Sequence, residues 1–451
     1  MPHRTIHWFQ RDLRVVDNPA LHEAASAGSD GVLPLFVIDP ATWSHQSDVQ
    51  KAYLLQSLAA LKESLDGNLT VRVGDPREVI VQLAQEIEAE SVHLAASYTP
   101  VAAKRQEDVI DALAEVGAQP DVVGSPYAVA PGRVRKHDDT PYRVYTPFYR
   151  SWLAHGWRAP VGKPRKPNWI SVSSEEPPSI PATDVELPRA GERAAMKRWS
   201  TFREQTLADY AQTRDRTGID GTSRMSVHLR FGEVHPRSLL AELGEEKSHE
   251  VFRRELAWRE FYADVLFHQP DSANQYLRRE FAHMTYDRGA RAKKRLAAWQ
   301  QGQTGYPMVD AAMRQLLQTG WMHNRARMIV ASFLVKDLHL EWQQGAEWFM
   351  QHLVDGDQAS NAHGWQWTAG SGTDAAPYFR IFNPVTQGLK FDPDGNYVRQ
   401  FIPELRHLAG KSVHEPWRGA DGYTHGYPER IVDHAEERIQ SLERYEAIKG
   451  R

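Results

Sequence analysis

The 451 residues contain no cysteine. Disulfides, thiol nucleophiles and cysteine-ligated zinc or iron–sulfur centres are therefore excluded, and no metal site is expected. No apolar run is long enough to span a bilayer. The opening MPHRTIHWFQRDLR lacks the apolar h-region of a secretion signal. These absences predict a soluble cytoplasmic protein. No Gly-x-Gly-x-x-Gly follows the first strand pattern, so a dinucleotide site of the usual type is not indicated. Strand patterns are nearly missing after about residue 191, and no short internal repeat is evident. An excess of one sign of charge is lacking as well, with 54 Lys+Arg against 58 Asp+Glu. The net charge of −4 argues weakly against a nucleic-acid partner.

What is present is ordinary globular composition, 41% hydrophobic and 25% charged. The length calls for two domains. Splitting the chain changes the charge argument. Residues 1–125 hold 9 Lys+Arg against 18 Asp+Glu, a net of −9, whereas the remainder holds 45 against 40, a net of +5. The later part is the better candidate for meeting phosphate. Of the 14 tryptophans, seven fall between residues 251 and 370, so they are not general core filler.

In chain order, Thr5–Phe9, Val32–Ile38, Leu69–Val73, Val92–Ala95 and Asp121–Val123 read as strands. Lys51–Leu65, Arg77–Glu88 and Ala103–Val116 read as amphipathic helices between them. This alternation predicts a parallel α/β domain over 1–125, with any ligand at the carboxyl ends of the strands. Phe9 to Arg14 with Asp17 and Asn18 reads as a strand-to-helix loop, Asp17 or Asn18 capping the next helix. Residues 126–190 hold 11 of the 27 prolines and read as a long wrapping linker. Within it, the aromatic run from Thr140 to Phe148 is expected to dock the linker. From 191 onward the pattern is helical, as at Val251–Leu266, Ala311–Leu317 and Arg325–Leu338, and predicts an all-helical second domain over 191–451.

Four clusters could carry chemistry. Thr222-Ser223-Arg224-Met225-Ser226 precedes a helical run; hydroxyls and N–H groups there suit phosphate, and a plain cap is the alternative. Glu255, Trp258, Arg259 and Tyr262 share one helix face, either as an ion pair with core aromatics or as a binding face. Gly320 to Met328 reads as a helix with a basic face. Asp355 to Pro384 joins two carboxylates, Asp355 and Asp357, to Asn361, Trp365 and Trp367, then to Tyr378-Phe379-Arg380. A solvated loop does not need two tryptophans and a packed core does not want DGD. The mixture suits the wall of a planar, polar ligand, against the alternative of a loop between core helices. Trp365 and Trp367 cannot serve one helix surface.

WQW, GTDAAPYFRIFNP, TGYPMVDAAMRQL and GWMHNRARM are long runs, and through them the chain resembles the DNA photolyase and cryptochrome family over essentially its whole length. It is most similar to the class I cyclobutane pyrimidine dimer photolyases. The resemblance implies light-driven repair of such dimers in DNA, by electron transfer from excited reduced FAD to a flipped-out lesion. It implies a monomer that meets UV-damaged DNA without reading sequence. For FAD it implies Tyr210, Thr222, Ser223, Arg224, Met225, Ser226, Phe252, Asn324, Arg327 (paired with Asp355), Asp357 and Asn361. For DNA and the lesion it implies Arg214, Glu255, Trp258, Arg259, Asn324, Met328 and Trp367. Glu255 is expected to share a proton with the damaged bases, its pKa raised by burial. Trp365 and then Trp342 would begin an electron chain. Its outermost tryptophan has no clear counterpart: the gapless position is Gly289, and Tyr286 or a different tryptophan are the alternatives. His323-Asn324, where the (6-4) enzymes carry two histidines, favours the cyclobutane dimer. Ala102-Ala103 stand where folate-binding members carry Asn-Glu, which puts a folate antenna in doubt and leaves a deazaflavin, a flavin or no antenna open. A cryptochrome photoreceptor and a colourless nucleic-acid-binding helical protein are the competing readings.

Overall fold

The computed structural model describes residues 3–180, 182–373 and 379–449. Pro377 and Tyr378 of the run singled out above lie outside them. The chain divides into two compact units. The first comprises Met1–Thr183, Pro188–Ala208 and Ser223–Pro270; the second comprises Asp184–Leu187, Asp209–Thr222 and Asp271–Arg451.

The first unit is built on five parallel strands, β1 (Arg4–Phe9), β2 (Gly31–Ile38), β3 (Thr70–Val73), β4 (Ala89–Leu94) and β5 (Gln119–Val122). Their order is β3-β2-β1-β4-β5. In register, Ile6 stands beside Leu33 on one side and Val92 on the other. β1 and β2 are buried almost throughout because helices cover both faces of such a sheet. Those helices are Pro19–Ala27, Asp48–Ser64, Pro76–Glu86 and Pro100–Glu115. Three carry Pro at the start, where a missing N–H costs nothing. Asp48–Ser64 begins before its apolar stripe because the Ser47 hydroxyl accepts the Gln50 N–H at 3.3 Å.

The loop after β1 separates two residues that the sequence left as equals. Asn18 is the cap, accepting the Leu21 N–H at 3.1 Å. Asp17, wholly buried and left-handed (φ 52°), accepts instead from Arg237 at 2.8 Å and Ser238 at 3.1 Å. Buried Arg14 donates to the carbonyls of Asp17 and Gly232. This motif braces the fold.

The proline-rich stretch departs from expectation. It contains an α-helix, Tyr145–His155, that buries Tyr145, Phe148, Tyr149 and Trp152. The helix Lys247–His268 holds the earlier part of the stretch, while Asn168, Ile170 and Glu175 bond to Val32 and Val71 of the sheet. Glu260 accepts from Ala128 N (2.5 Å), Val129 N (3.0 Å) and Trp152 Nε1 (2.6 Å). Asp264 accepts from Gly132 N at 2.7 Å, and Glu250 from the Tyr149 hydroxyl at 2.7 Å.

The second unit is helical; no strand occurs among its described residues. Pro307–Thr319, Asn324–Lys336, Trp342–His352 and Gln358–Ala369 surround a core that includes Val309, Met313, Leu316, Val330, Leu334 and Trp365. The run TGYPMVDAAMRQL is a brace. Asp310, fully buried, accepts from Thr304 N (2.7 Å), Thr304 Oγ1 (2.6 Å), Gly305 N (3.0 Å) and the Tyr427 hydroxyl (2.6 Å). Gly305 has φ +78°, and a Cβ there would stand 2.4 Å from the Glu429 carbonyl, so only glycine fits.

Candidate functional site

In the second unit, Asn324–Lys336 and Gln358–Ala369 bring the acid, amide and guanidinium groups together. Arg327 donates from Nη2 to Asp355 Oδ2 at 2.7 Å and from Nε to the Met322 carbonyl at 2.9 Å. The other Asp355 oxygen, Oδ1, is buried with no hydrogen-bond partner. Asp357 is the N-cap of Gln358–Ala369, accepting the Ser360 N–H at 3.0 Å. One turn on, Asn361 donates from Nδ2 to the Ala346 carbonyl at 2.9 Å, which turns its Oδ1 outward. Trp365 is 2% exposed. Its ring edge packs closely against Trp342–His352 because Gly345 makes room: a Cβ there would be 2.1 Å from Trp365 Cη2. A fixed guanidinium–carboxylate pair, an orphaned carboxylate oxygen, an outward amide oxygen and a buried indole fit an imide-bearing, planar cofactor such as FAD.

Trp367, two residues on, is in different surroundings. Its ring is part-exposed and carries the Arg380 guanidinium 4.5 Å above its centroid. Asn324 is exposed at the helix start, and Met328 follows one turn later, part-buried. His323 caps this helix, its Nδ1 accepting the Arg325 N–H at 3.1 Å. Tyr210 is buried with Arg214 5.7 Å over its ring; the Arg214 side chain is part-exposed beside Asp215.

Trp342, 1% exposed, meets an aromatic row that the sequence suggested only in part. Tyr276 stands edge-on to it at 6.3 Å, and Tyr286 stacks on Tyr276 at 6.3 Å and 11°. Burial pushes the Tyr276 phenol up to about 12 and the Tyr286 phenol higher still. At Gly289 a Cβ would meet nothing within 4 Å.

The segment Thr222 to Ser226 passes from the second unit to the first. Arg224 is left-handed (φ 54°) and exposed, and the Ser223 hydroxyl accepts the Met225 N–H at 3.3 Å. Met225 is 1% exposed, so the segment's exposed groups are its backbone and the side chains of Arg224 and Ser226.

In the first unit, Lys247–His268 carries Glu255 and Trp258, both part-exposed. Tyr145 stacks on Trp258 with centroids 3.7 Å apart and planes 7° off parallel. Burial pushes the Tyr145 phenol up, and the charge of Glu255 adds to it. Tyr145 was expected to dock the linker; it also backs one face of the indole. The signal was the aromatic run itself. Two residues of this helix are engaged within the fold. Arg259 donates to the Pro126 carbonyl at 3.0 Å and the Leu229 carbonyl at 3.2 Å, with Tyr127 4.6 Å beneath it. These bonds hold its part-exposed guanidinium against the backbone. Phe252 is 3% exposed among Trp199 and Phe202.

The carboxyl ends of the strands hold a second polar cluster. Arg105 donates to Asp39 Oδ2 at 3.2 Å, Thr42 Oγ1 at 2.9 Å and Gln10 Oε1 at 3.4 Å. Gln10 Nε2, Gln46 Oε1 and Arg105 Nε are buried with no partner. The sequence showed the helix of Arg105 but not the cluster, which residues following β1 and β2 complete.

A parallel α/β unit and a helical unit with an acid–amide–indole cradle define a flavoprotein architecture, and comparison with known proteins identifies it. The family described as DNA photolyase matches residues 5–167, and the FAD binding domain of DNA photolyase matches residues 252–447. The chain belongs to the DNA photolyase family. It is 40% identical to the deoxyribodipyrimidine photo-lyase of Escherichia coli (strain K12) and 40% identical to that of Streptomyces griseus, in each case over 98% of both chains. Among solved structures it is similar to a bacterial class III photolyase from Agrobacterium tumefaciens (TM-score 0.92, 36% identity, 100% of this chain and 98% of that one). It is also similar to an archaeal photolyase from Sulfolobus tokodaii described with two FAD molecules, one implicated as a novel light-harvesting cofactor (TM-score 0.85, 28% identity, 98% of this chain and 100% of that one). No described helix is long and apolar enough to cross a membrane.

Proposed function

We propose that this chain repairs cyclobutane pyrimidine dimers in DNA by light-driven electron transfer, a carbon–carbon lyase reaction. The observation that carries the reading is the Arg327–Asp355 pair at 2.7 Å with the orphaned Asp355 oxygen, Asp357 and Asn361 beside it, inside the FAD-binding match. FAD, when bound and reduced, supplies the photoexcited electron that opens the cyclobutane ring and is returned afterwards. Arg327, Asp355, Asp357 and Asn361 bind and orient that cofactor, and the Thr222–Ser226 segment holds its phosphates. Glu255 hydrogen-bonds the lesion and can hold its proton. Trp258 and Trp367 offer stacking surface, each with one face already backed, by Tyr145 and by Arg380. Base–aromatic stacking of this kind contributes about 1–3 kcal/mol per base. Extrusion of the lesion from the duplex is a property of photolyases as a class, and this chain is expected to share it. Arg214 contacts the DNA backbone, and binding is sequence-independent because phosphates carry no base information. Trp365, Trp342, Tyr276 and Tyr286 form the route by which electrons reach the interior.

In function, residues 1–125 serve as antenna domain, 126–190 as linker and 191–451 as the FAD- and DNA-binding region; the compact units differ in grouping Pro188–Ala208 and Ser223–Pro270 with the first. The Arg105 cluster is the proposed antenna site. The protein works as a cytoplasmic monomer. The test is loss of dimers from a dimer-bearing oligonucleotide by chemically reduced protein under near-UV and blue light, with a dark control. Repair in light alone is expected. A yellow, flavin-loaded protein that leaves the dimer intact would move the reading to a photoreceptor or to the (6-4) lesion.

A further inference from the structure

The helix Gly289–Gln300 carries a concentration of cations that the proposed site does not use. Arg288, Arg291, Lys293 and Lys294 are all exposed, and none makes an ion pair or hydrogen bond with a described residue. They crowd the start of the helix, where its dipole repels positive charge, and the first turn holds no acidic residue to offset them. Arg291 and Lys294, three apart, share a side of the helix and repel one another, with Arg288 at the N-cap just before them.

The nearest acids are committed elsewhere. Asp287 accepts from Arg295 at 3.3 Å through one oxygen and from Arg444 at 2.8 Å through the other. Glu437 accepts from Arg295 at 2.8 Å and pairs with His339 at 2.7 Å. Arg295 belongs to the same helix but is buried, so the helix and its N-cap divide their cations into one neutralised inside and four left outside, Arg288 at the cap and three on the helix. The fold thus keeps an electrostatic cost that an anionic partner would remove.

The partner's chemistry follows from what surrounds the charges. None of the exposed large hydrophobic residues lies on this helix. A protein interface would want an aromatic or aliphatic anchor at its centre; a phosphodiester backbone wants none. Three cations rising about 9 Å along a helix axis can address successive phosphates of one strand, which lie about 3.4 Å apart along a duplex axis. We propose that Arg288, Arg291, Lys293 and Lys294 form a second, sequence-independent contact with the DNA backbone. The inference rests on the repair reading above and adds a surface to it.

The test is a salt series of binding constants for a long duplex carrying one cyclobutane dimer, comparing wild type with R288Q/R291Q/K294Q. The plot of log K against log salt should become shallower by about 0.9 for each phosphate no longer neutralised, up to about 2.7 for three. The charge-keeping R288K/R291K variant should retain the wild-type slope, which a merely folding-related loss would not do. An unchanged slope in the triple variant, with light-driven repair intact in the same preparations, overturns the second contact and leaves the repair reading standing. Wild-type protein without repair in light overturns the repair reading itself.

Discussion

Trp258 illustrates what a residue owes to a distant neighbour. Its exposed indole would sample several rotamers if nothing backed it. Tyr145 removes that freedom by stacking at 3.7 Å. An aromatic pair of this kind contributes about 0.5–1.5 kcal/mol beyond buried area. Tyr145→Ala should therefore weaken binding of dimer-bearing DNA several-fold, whereas Tyr145→Phe should bind as wild type; fluorescence anisotropy distinguishes them. Equal affinity in all three would show that the stack does not position the indole. The helix face that carries Glu255 and Trp258 was legible in the sequence. Its partner ring was not, because stacking across two separated segments leaves no local pattern. The partners of Arg259 were hidden for the same reason: nothing local shows that the carbonyls of Pro126 and Leu229 are brought to it.

Among the elements, Lys247–His268 is the support of the first unit. One of its buried acids, Glu260, satisfies two backbone N–H groups and an indole N–H. Glu260→Ala would leave all three donors without an acceptor in a dry site, at a cost on the order of 3 kcal/mol. We expect a clearly lower urea midpoint and earlier proteolysis of the 126–155 stretch; an unchanged midpoint would contradict the role. The helix Tyr145–His155 shows how an element hides in plain sequence. Tyr145, Phe148, Tyr149 and Trp152 recur at helical spacing, yet Pro147 among so many prolines reads as a breaker. It is the third residue of the helix, where the N–H has no intrahelical partner and proline is harmless.

At the scale of the whole molecule, the C-terminal helix His434–Glu446 is fastened by buried charge. His434 Nδ1 meets Asp337 Oδ1 at 2.5 Å. Burial, the largest influence, pushes Asp337 up to about 6 from an ordinary 3.8, against the opposing pull of His434. A carboxyl whose folded pKa is raised binds more protons folded than unfolded, so its contribution to stability falls as pH rises from about 4 to 6. The loss across that window is roughly 2–3 kcal/mol. Asp337→Asn removes the titration, so the variant's stability relative to wild type should improve from pH 4 to pH 6 in urea melts. A constant difference would mean that Asp337 does not titrate there.

The sequence by itself determined the strand–helix alternation, the helical second part, the cofactor chemistry offered by Asp355, Asp357, Asn361 and Trp365, and the shift of positive charge toward the later chain. Each is written in residue type and short-range period, which fix local backbone and side-chain facing. Only the tertiary structure decided which polar residues are spent inside the fold. Asp17, a candidate cap, became a brace, Arg14 and Asp310 are spent as further braces, Arg259 is held by two carbonyls, and Asp39 and Gln10 are brought to Arg105 in one cluster. The physical reason is that a charged or polar side chain declares its role through its partner and its burial, and both are set by segments far away in the chain.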